Sequence, residues 1–490
     1  MRVAVVGLGY VGLVTSACLA EQGHQVVGIE VSADRIEALL AGRMPFYEPH
    51  LAELVERNVA LGRLAFAGDS ATVADAEVVF VAVGTHDGNG GWQTGTIQSC
   101  LSDIAPLLAD GATLVVRSTL PPWFLAHLPK IVGRIREEAG RPMVPVLLNP
   151  EFTKEGTAVR DFLQPDRVVL GIAQDVDGWG ESQLRELYGA TTAPVLAMSA
   201  TDAALSKLGA NLFLATKISF ANELAGLCDL YGADVDQVVA AMSHDPRIGG
   251  SFLRAGIGFG GSCLPHQVTM TVVGAAEAGA PTPLFAAVAE VNHRQRRLMV
   301  DRLAARLDDN LAGTRIALLG VTFKPETDDL RDAPSIDIAR ELIARGATVV
   351  AYDPMPSALE RFARLVPGVE IARTVEVVLA GADAAALITE WVEFQRLDWP
   401  SMATVMRRAV LVDGRNALAP AELIGAGFDY TAFGRGGSSS MAAAAQLASR
   451  ELVAVMEPSD GPNPAPATAA SDGIVADRPH GASLDLARFE

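Results

Sequence analysis

Residues 256–265 of this 490-residue chain combine a run of glycines with a cysteine. Four of the six residues at 256–261 are glycine, and Cys263 follows two positions later. Glycine has no Cβ, so such a segment lets the backbone pass close to a ligand. An unreactive buried cysteine is the usual alternative, but the glycines favour an accessible thiol. A thiol near a lysine also ionises below its usual pKa of about 8.5, so we predict that Cys263 is a nucleophile.

Two other segments carry polar groups that could act beside such a thiol. Lys207 and Asn211 are four residues apart in a long stretch rich in alanine and leucine, so they share one face of a predicted helix. Residues 149–156 contain Glu151 and Glu155 and follow a predicted strand. The carboxyl ends of parallel strands are where α/β sheets place ligands. We therefore expect both segments at the reaction site; a solvated helix face is the alternative for the lysine.

A cofactor site is indicated at the start of the chain. Residues 7–12 read Gly-Leu-Gly-Tyr-Val-Gly between a predicted strand and a helix, and Glu30 ends the second strand. In such a motif Gly7 allows a tight turn, Gly9 admits a pyrophosphate and Gly12 lets the helix approach the strand. The acidic residue binds ribose hydroxyls and repels a 2′-phosphate, which predicts NAD rather than NADP. A nicotinamide site with a nucleophilic thiol suggests oxidation of an aldehyde through a thioester; a glycine turn without cofactor is the alternative.

The elements that must position these groups follow an α/β pattern. Apolar runs of strand length alternate with amphipathic stretches at 3–6, 25–29, 78–83, 113–117 and 144–148. This alternation predicts a parallel sheet covered on both faces. Residues 200–230 predict one long helix, with more helix to about 305, and strands return at 315–320, 348–352, 384–388 and 409–412. The predicted fold class is α/β, with two Rossmann-like doubly wound domains joined by a helical middle domain.

Composition sets the predicted limits and excludes several function classes. The predicted domains are 1–198, 199–305 and 306–435, followed by a Gly/Ser/Ala/Pro-rich tail, 436–490, that we expect to be disordered. Thirty-nine basic against 58 acidic residues give a net charge of −19, which disfavours nucleic acid or anionic membrane as a partner. No apolar run reaches the roughly 18–20 residues of a membrane span. The four cysteines form no C-x-x-C pattern, so we expect no metal site and a reducing, cytoplasmic location.

Taken together, the motifs resemble the UDP-glucose/GDP-mannose dehydrogenase family, and within it the bacterial UDP-glucose branch. The resemblance covers about residues 1–434, and residues 161–167 (Asp-Phe-Leu-Gln-Pro-Asp-Arg) favour that branch over the UDP-N-acetylhexosamine branch. The motifs that carry it lie at 7–12, 47–49, 118–119, 149–156, 161–167, 207–223, 247–249, 258–265, 323–324 with 331, and 413–416.

The resemblance implies a four-electron oxidation that uses two NAD⁺. The C6 alcohol of UDP-glucose becomes an aldehyde, the cysteine captures it as a thiohemiacetal, and a second oxidation gives a thioester that water hydrolyses to UDP-glucuronate. It implies polysaccharide biosynthesis as the context and a nucleotide-sugar ligand for the second α/β domain. The long helix resembles the family's dimer-forming element, so a homodimer is expected, with Arg247 reaching across its interface.

The resemblance also assigns residues to roles. The catalytic residues are Cys263, Lys207, Asn211, Glu151 and Thr119. The cofactor-binding residues are Gly7, Gly9, Tyr10, Val11, Gly12, Glu30, Arg35, Thr85, Thr119, Glu155 and Arg331. The substrate-binding residues are Phe152, Lys154, Glu155, Lys207, Asn211, Arg247, Phe252, Gly260, Phe323, Lys324 and Arg415.

The chain departs from the family pattern beside the thiol. The family's Cys-x-x-Lys-Asp is here Cys263-Leu-Pro-His266-Gln267. A glutamine cannot take up a proton at neutral pH, whereas a histidine can. The usual Gly-Thr-Pro ends here in His86, and Trp123 replaces a glycine after residues 118–119. Since losing a general base typically costs about 10²–10⁴-fold in rate, a different sugar, stalled thioester hydrolysis or a non-catalytic nucleotide-sugar binder are the alternatives.

Overall fold

The computed structural model describes residues 1–85 and 91–436. The amino-terminal part is an eight-stranded sheet in the order β3-β2-β1-β4-β5-β6-β7-β8. Its strands are β1 (Arg2–Val6), β2 (Gln25–Ile29), β3 (Leu64–Ala67), β4 (Val78–Val81), β5 (Thr113–Val116), β6 (Val146–Leu148), β7 (Val168–Gln174) and β8 (Val195–Ser199). Its helices are α1 (Tyr10–Glu21), α2 (Ala33–Leu40), α3 (Leu51–Ala60), α4 (Gly95–Ile104), α5 (Pro122–Leu125), α6 (Leu128–Glu138), α7 (Ala158–Leu163) and α8 (Trp179–Leu187).

Both faces of this sheet are buried, as the apolar strands predict. Along β1, Val3 and Val5 belong to one hydrophobic cluster, and Ala4 and Val6 belong to another. Successive side chains of a strand point to opposite faces, so each cluster fills one side of the sheet.

The prediction of a parallel sheet holds for β1–β6 and is wrong for the last two strands. β7 runs antiparallel to β6, and β8 pairs parallel with β7. The only helix between β6 and β7 is α7, whose six residues span about 9 Å. That helix is too short to return the chain to the opposite edge of the sheet. β7 therefore starts at the edge where β6 ends.

The middle of the chain is helical, which confirms the predicted long helix. Its helices are α9 (Ala200–Tyr231), α10 (Val235–Ser243), α11 (Leu264–Glu277) and α12 (Pro283–Arg306). The Ser199 hydroxyl accepts the Asp202 amide at the start of α9, and Gly232, with φ of +71°, ends it. Helices α9, α11 and α12 pack on one another around Leu212 and Val288.

The carboxyl-terminal part is a parallel six-stranded sheet in the order β11-β10-β9-β12-β13-β14. Its strands are β9 (Arg315–Leu319), β10 (Thr348–Tyr352), β11 (Glu370–Ile371), β12 (Ala384–Leu387), β13 (Val410–Asp413) and β14 (Asp429–Ala432). Its helices are α13 (Pro334–Ala344), α14 (Pro356–Leu365), α15 (Val375–Leu379), α16 (Val392–Gln395), α17 (Trp399–Val405) and α18 (Pro420–Gly425). In both sheets the strand order reverses beside the first strand, which is where doubly wound folds bind ligands.

The predicted domain limits stay a proposal: 1–198 ends in β8, 199–305 ends in the last turn of α12, and 306–435 covers the second sheet. The predicted tail, apart from Gly436, lies outside the described residues, as does His86. In the parts of the chain that the structure describes, no helix is long and apolar enough to cross a membrane.

Candidate active site

The glycine segment before Cys263 packs against other parts of the protein. A Cβ on Gly260 would lie 2.5 Å from the carbonyl oxygen of Asp332, and one on Gly261 would lie 2.8 Å from the Phe323 ring. The loop after β9 fills the space where these side chains would lie, and the predicted approach of the glycine backbone to a ligand stays a prediction. The glycines therefore bring the nucleophile segment against the carboxyl-terminal sheet.

Cys263 immediately precedes α11 and is an exposed residue. Ser262 Oγ lies 3.7 Å from Sγ. The surrounding cleft walls desolvate the thiol and raise its pKa, the charge of Glu151 raises it further, and Lys207 lowers it by less. The predicted lowering of the thiol pKa is therefore wrong, because desolvation of the thiol, together with the charge of Glu151, outweighs the effect of Lys207.

That partner forms a buried ion pair. Lys207 Nζ lies 3.1 Å from Glu151 Oε1, and both side chains are less than a tenth exposed. Glu151 also accepts the Thr153 amide at 2.7 Å and the Thr153 hydroxyl at 2.6 Å. Burial alone would raise the pKa of Glu151, but the charge of Lys207 and the Thr153 bonds outweigh it and lower the pKa. The structure thus brings together the lysine and carboxylate that the sequence placed on separate segments.

Asn211, one helical turn from Lys207 on α9, forms a second buried contact, with Gln267. Asn211 Nδ2 donates to Gln267 Oε1 at 2.8 Å, and Gln267 lies one turn after Cys263 on α11. Phe152 lies beneath two cations, with Arg167 3.7 Å and Lys207 5.3 Å from its ring centre. Asn211 is therefore held in place from the helix that begins at the thiol.

The residues expected near the nicotinamide lie at neighbouring strand ends. Thr85 follows β4 and Thr119 follows β5, and the Thr85 hydroxyl donates to the Thr119 carbonyl at 2.7 Å. Thr85 is fully buried. The two parallel strands thus deliver both threonines to one edge of the sheet.

Glu155 lies where the two α/β parts meet. Its Oε1 is 2.7 Å from Arg331 Nη2, and the same nitrogen is 2.7 Å from Asp329. Among the described residues no donor reaches its buried Oε2. Burial, together with the charge of Asp329, raises the pKa of Glu155 to about 8, against the opposing charge of Arg331. This carboxyl can therefore exchange a proton near neutral pH.

A cleft of about 710 Å³ runs from this carboxyl along the glycine turn. Its lining includes Gly9, Tyr10, Arg35, Glu155 and Arg331. An ideal Cβ on Gly9 would meet no protein atom within 4 Å, whereas one on Gly12 would lie 1.8 Å from the Gly7 carbonyl oxygen. The space over Gly9 is thus open to a ligand, while Gly12 is needed for packing of the helix that Tyr10 and Val11 begin.

Glu30 completes the case that this cleft fits a dinucleotide. Its carboxylate accepts the Leu8 and Ser32 amides, each at 3.1 Å, and the Arg35 guanidinium at 2.8 Å. Burial raises the pKa of Glu30, but these bonds outweigh it and lower the pKa, so the carboxylate is charged. A fixed negative charge at the end of β2 suits ribose hydroxyls and opposes a 2′-phosphate. The open space over Gly9, the charged Glu30 carboxylate and the cleft together fit NAD.

The loops after β9 and β13 carry the side chains expected at the nucleotide end of the substrate. Lys324 Nζ lies 5.2 Å from the Phe323 ring centre, and burial lowers the pKa of Lys324 against the attraction of Glu155. Arg415 donates to the carbonyls of Ile388 and Gly258, each at 2.7 Å, and to that of Phe323 at 3.1 Å. Arg415 therefore fixes the glycine segment against the second sheet, and only its remaining N–H groups are available to a ligand.

Comparison with known proteins identifies the family. Residues 1–192, 201–294 and 317–420 match the NAD binding, central and UDP binding domains of the UDP-glucose/GDP-mannose dehydrogenase family. A UDP-glucose 6-dehydrogenase of Pseudomonas aeruginosa is 40% identical over 447 residues, which cover 89% of this chain and 98% of that protein. The chain belongs to the UDP-glucose/GDP-mannose dehydrogenase family.

Other members of the family are similar over the same length. A UDP-glucose 6-dehydrogenase of Rhizobium meliloti is 38% identical over 441 residues, covering 89% of this chain and all of that protein. The solved structure of a UDP-glucose dehydrogenase from Pyrobaculum islandicum has a TM-score of 0.78 at 36% identity, covering 85% of this chain and 94% of that one. The predicted family, the α/β fold class and NAD as cofactor are thereby confirmed.

Three residues that the resemblance assigns to substrate binding are exposed to solvent, and their roles stay predictions. Arg247 is 87% exposed and forms a bidentate pair with Asp245. Lys154 is 58% exposed and lies 3.4 Å from Asp161. Phe252 is 39% exposed, with φ of +64°.

Several buried polar residues that hold the site were given no role by the sequence analysis, although Glu48 lies in the motif at 47–49. Glu48 accepts the Tyr10 hydroxyl at 2.5 Å and the Gly156 amide at 2.6 Å, which ties the glycine turn to the Glu151 segment. Asn292 accepts the Phe259 amide at 2.7 Å and donates to the Phe259 carbonyl at 3.0 Å. Asn292 and Arg296 stand four residues apart on α12. That is the same spacing that drew attention to Lys207, so it could have found them.

Proposed function

We propose that this chain oxidises C6 of UDP-glucose to the carboxylate of UDP-glucuronate, with two NAD⁺ reduced per sugar. The supporting observation is the buried Lys207–Glu151 pair beside an accessible thiol, at the junction of an NAD-type cleft and the lysine-bearing loop of the second sheet. The similar proteins of Pseudomonas aeruginosa and Rhizobium meliloti are UDP-glucose 6-dehydrogenases, which supports the same substrate and position of oxidation here. A four-electron oxidation needs a nucleophile, an oxyanion partner and a proton acceptor, and Cys263, Lys207 and Glu151 are residues of those types that act electrostatically on one another.

Each group has a defined part in the chemistry. NAD⁺, when bound, supplies the hydride acceptor for both oxidations. Lys207 and Asn211 stabilise negative charge on the sugar C6 oxygen, where a buried ammonium is worth more than in water. Cys263 Sγ adds to the aldehyde carbon while its proton leaves, and the second oxidation turns this adduct into a thioester. Attack of water then breaks the C–S bond, releasing the carboxylate, the thiol and a proton.

The raised pKa of Cys263 means that the thiol must lose its proton as it reacts. Glu151 is the charged carboxylate that acts electrostatically on both Cys263 and Lys207. We assign it as the proton acceptor, directly or through water. Gln267 cannot take this part, and its bond to Asn211 assigns it to positioning.

Gln267 also defines the second candidate outcome, an enzyme that stalls as the thioester. Replacing Gln267 with aspartate returns a carboxylate beside Asn211. If hydrolysis limits the natural chain, this variant releases UDP-glucuronate faster, whereas an unchanged rate assigns the hydrolytic proton transfer to Glu151.

The test of the proposed function compares Cys263→Ser with Cys100→Ser, a half-buried thiol on α4. We expect UDP-glucuronate formation by Cys263→Ser to fall by about 10³-fold or more, as for other lost nucleophiles. Cys100→Ser should remain active. UDP-glucose binding without turnover in the natural chain, unaffected by Cys263→Ser, would instead identify a non-catalytic binder.

We also propose that the chain is a homodimer formed along α9. Phe213, Phe220 and Leu227 repeat every seven residues on this helix and are 64%, 48% and 52% exposed. A repeat of seven places them on one face, as in helices that pair with a second helix. The exposed Arg247 could then reach a partner's cleft. Light scattering should show a dimer for the natural chain and a monomer for Phe220→Glu.

The predicted cytoplasmic location is a separate proposal, which cell fractionation tests.

A further inference from the structure

A buried arginine joins the nucleophile segment to the loop that carries Arg331. Arg296 lies on α12 and is 4% exposed. Its Nη2 donates to the Phe259 carbonyl at 3.2 Å and to the Asp332 carboxylate at 3.1 Å, and its Nη1 donates to the other Asp332 oxygen at 3.0 Å. Asp337, at the start of α13, takes a further bond at 2.5 Å. One guanidinium thus holds two separate segments.

Each of these segments ends at a functional group. Phe259 precedes Cys263 by four residues, and Asp332 directly follows Arg331, which lines the cofactor cleft. The segments also touch directly, since the Gly261 amide donates to the Arg331 carbonyl at 2.9 Å. A displacement of Arg331 would therefore move Gly261, which lies two positions before Cys263.

The contacts around Arg296 separate its role from that of its neighbour Asn292. Asn292 already satisfies both the amide and the carbonyl of Phe259. Fixing Phe259 is therefore not the distinctive role of Arg296. The contacts that set Arg296 apart from Asn292 are those to Asp332. Asp332 has φ of +48°, a left-handed conformation that is unfavourable for an aspartate and needs support from its surroundings.

We propose that Arg296 is a positioning residue that couples Arg331 to Cys263, so that NAD⁺ binding in the cleft sets the position and reactivity of the thiol. The coupling rests on the proposed function in one respect, the contact of Arg331 with the cofactor. The arginine itself touches neither substrate nor cofactor. It acts through the Asp332 loop on one side and through Phe259 on the other.

The experiment measures the coupling without turnover, in the full-length chain. Calorimetry gives the dissociation constant of NAD⁺ without sugar, and peptide mass spectrometry gives the rate at which iodoacetamide alkylates Cys263 with and without saturating NAD⁺. The variants are Arg296→Met and Arg296→Lys. The matched control is Arg302→Met on the same helix, whose guanidinium binds the Ala432 carbonyl at 2.7 Å and Asp229 at 2.5 Å, away from the cleft.

We expect NAD⁺ to change the alkylation rate of the natural chain by about 5-fold or more, the low end of measured couplings between sites. In Arg296→Met, which should still bind NAD⁺, that change should fall below about 2-fold. The effect of the cofactor on the alkylation rate of Arg296→Lys should lie between these two values. A lysine ammonium keeps the positive charge but lacks the paired N–H groups of a guanidinium. Arg302→Met should match the natural chain.

Two results would overturn the proposal: no effect of NAD⁺ on the natural thiol, or an undiminished effect in Arg296→Met. The second is also what simple shielding of the thiol by bound cofactor would give. If Arg296→Met does not fold, Asp332→Asn replaces it, since asparagine tolerates the left-handed conformation but weakens the pair with Arg296. Failure of the proposed function would appear separately, as absence of UDP-glucuronate from a chain whose coupling is intact.

Discussion

The two α/β parts of this chain share a starting plan. In each, a glycine follows the first strand with positive φ, +91° at Gly7 and +89° at Gly320. Each glycine amide donates at 2.8 Å to the carbonyl of the last residue of the second strand, Ile29 or Tyr352. In each, the residue directly after that second strand is acidic, Glu30 in the first part and Asp353 in the second.

The two parts differ in the segment that comes after the glycine. After Gly7, helix α1 begins at Tyr10, so backbone amides and the open space over Gly9 face the cleft. After Gly320, helix α13 does not begin until Pro334. The intervening loop brings Lys324 into the cleft region. The first part therefore offers backbone to a pyrophosphate, and the second offers side chains to the substrate.

The acidic residues differ accordingly. Asp353 is 1% exposed and accepts the amides of Val321 and Thr322 at 2.7 and 3.1 Å and the Trp391 indole at 3.3 Å. Its carboxylate holds the loop and has no surface for a ribose. Glu30 stands beside the cleft residue Arg35 instead. The same topology thus makes a dinucleotide site in one part and a braced loop in the other.

The largest expected effect tests the side-chain half of this comparison. Lys324→Met should raise the KM for UDP-glucose by about 30-fold or more, because loss of a buried, paired charge typically costs about 2 kcal/mol or more. The KM for NAD⁺ should change far less. Steady-state kinetics with each substrate varied check this, with the exposed Lys130→Met as control. Equal effects on both KM values would contradict the claim that the second α/β part binds the substrate and the first binds the cofactor.

Substitutions of Gly9 and Gly12 test whether the first α/β part binds the cofactor through its backbone. Gly9→Ala meets no protein atom, so it should weaken NAD⁺ binding by about 10-fold without lowering stability. Gly12→Ala puts a methyl group against the Gly7 carbonyl and should lower the free energy of unfolding by about 1–3 kcal/mol or more. Calorimetry and urea unfolding separate the two. A destabilised Gly9→Ala would show that its open space is not a ligand site.

A smaller effect distinguishes the paired acids. Glu30→Gln should shift the preference between NADP⁺ and NAD⁺ by about 5-fold toward NADP⁺, since it removes a repulsive charge and frees Arg35. Asp353→Asn should leave this preference unchanged and lower the free energy of unfolding by about 1–3 kcal/mol, because an amide can satisfy fewer of the donors. Competition kinetics measures the cofactor preference, and urea unfolding measures the free energy of unfolding. A loss of stability in Glu30→Gln together with a changed preference in Asp353→Asn would refute the assignment.

The smallest effect lies at the junction, in the pH dependence of stability. Burial and Asp329 raise the pKa of Glu155 to about 8, above its unfolded value of about 4.3. Between these values the folded state holds more protons, so this group's contribution to stability is complete below about pH 4.3 and is lost as pH rises to about 8. Glu155→Gln should flatten that part of the Tm-against-pH curve. An unchanged slope would show that the Arg331 pair keeps Glu155 ionised.

The predictions from sequence succeeded where a local pattern determines the structure. The long helix and nine predicted strands are present within a few residues, and the glycine turn lies where the motif places it. Most strands that were missed, such as β8 and β14, lie at sheet edges and lack a buried apolar run. The exception is β7, an interior strand whose first four residues are buried. The reversal at β7 depends on the shortness of α7, which apolar patterning does not reveal.

At the site, residue types were easier to predict than their interactions. The chain brings Lys207, Glu151 and Cys263 close enough to act on one another, but the desolvation and the Glu151 charge that raise the thiol pKa arise only in the folded chain. Arg415 donates to backbone carbonyls, and Arg296 joins segments that are distant in sequence. Carbonyl partners leave no mark on sequence, so such bracing residues become visible only once the chain is folded.

The most direct test of the central claim is the number of NADH molecules formed per UDP-glucose consumed, with the enzyme at trace level and NAD⁺ in excess. The proposed four-electron reaction predicts two, with UDP-glucuronate released. One NADH per sugar with a free aldehyde product, or UDP-glucose binding without NADH, would contradict it. NADH formation that stops at one or two equivalents per subunit would mean that the thioester forms but cannot be hydrolysed, which would contradict the assignment of the hydrolytic proton transfer to Glu151.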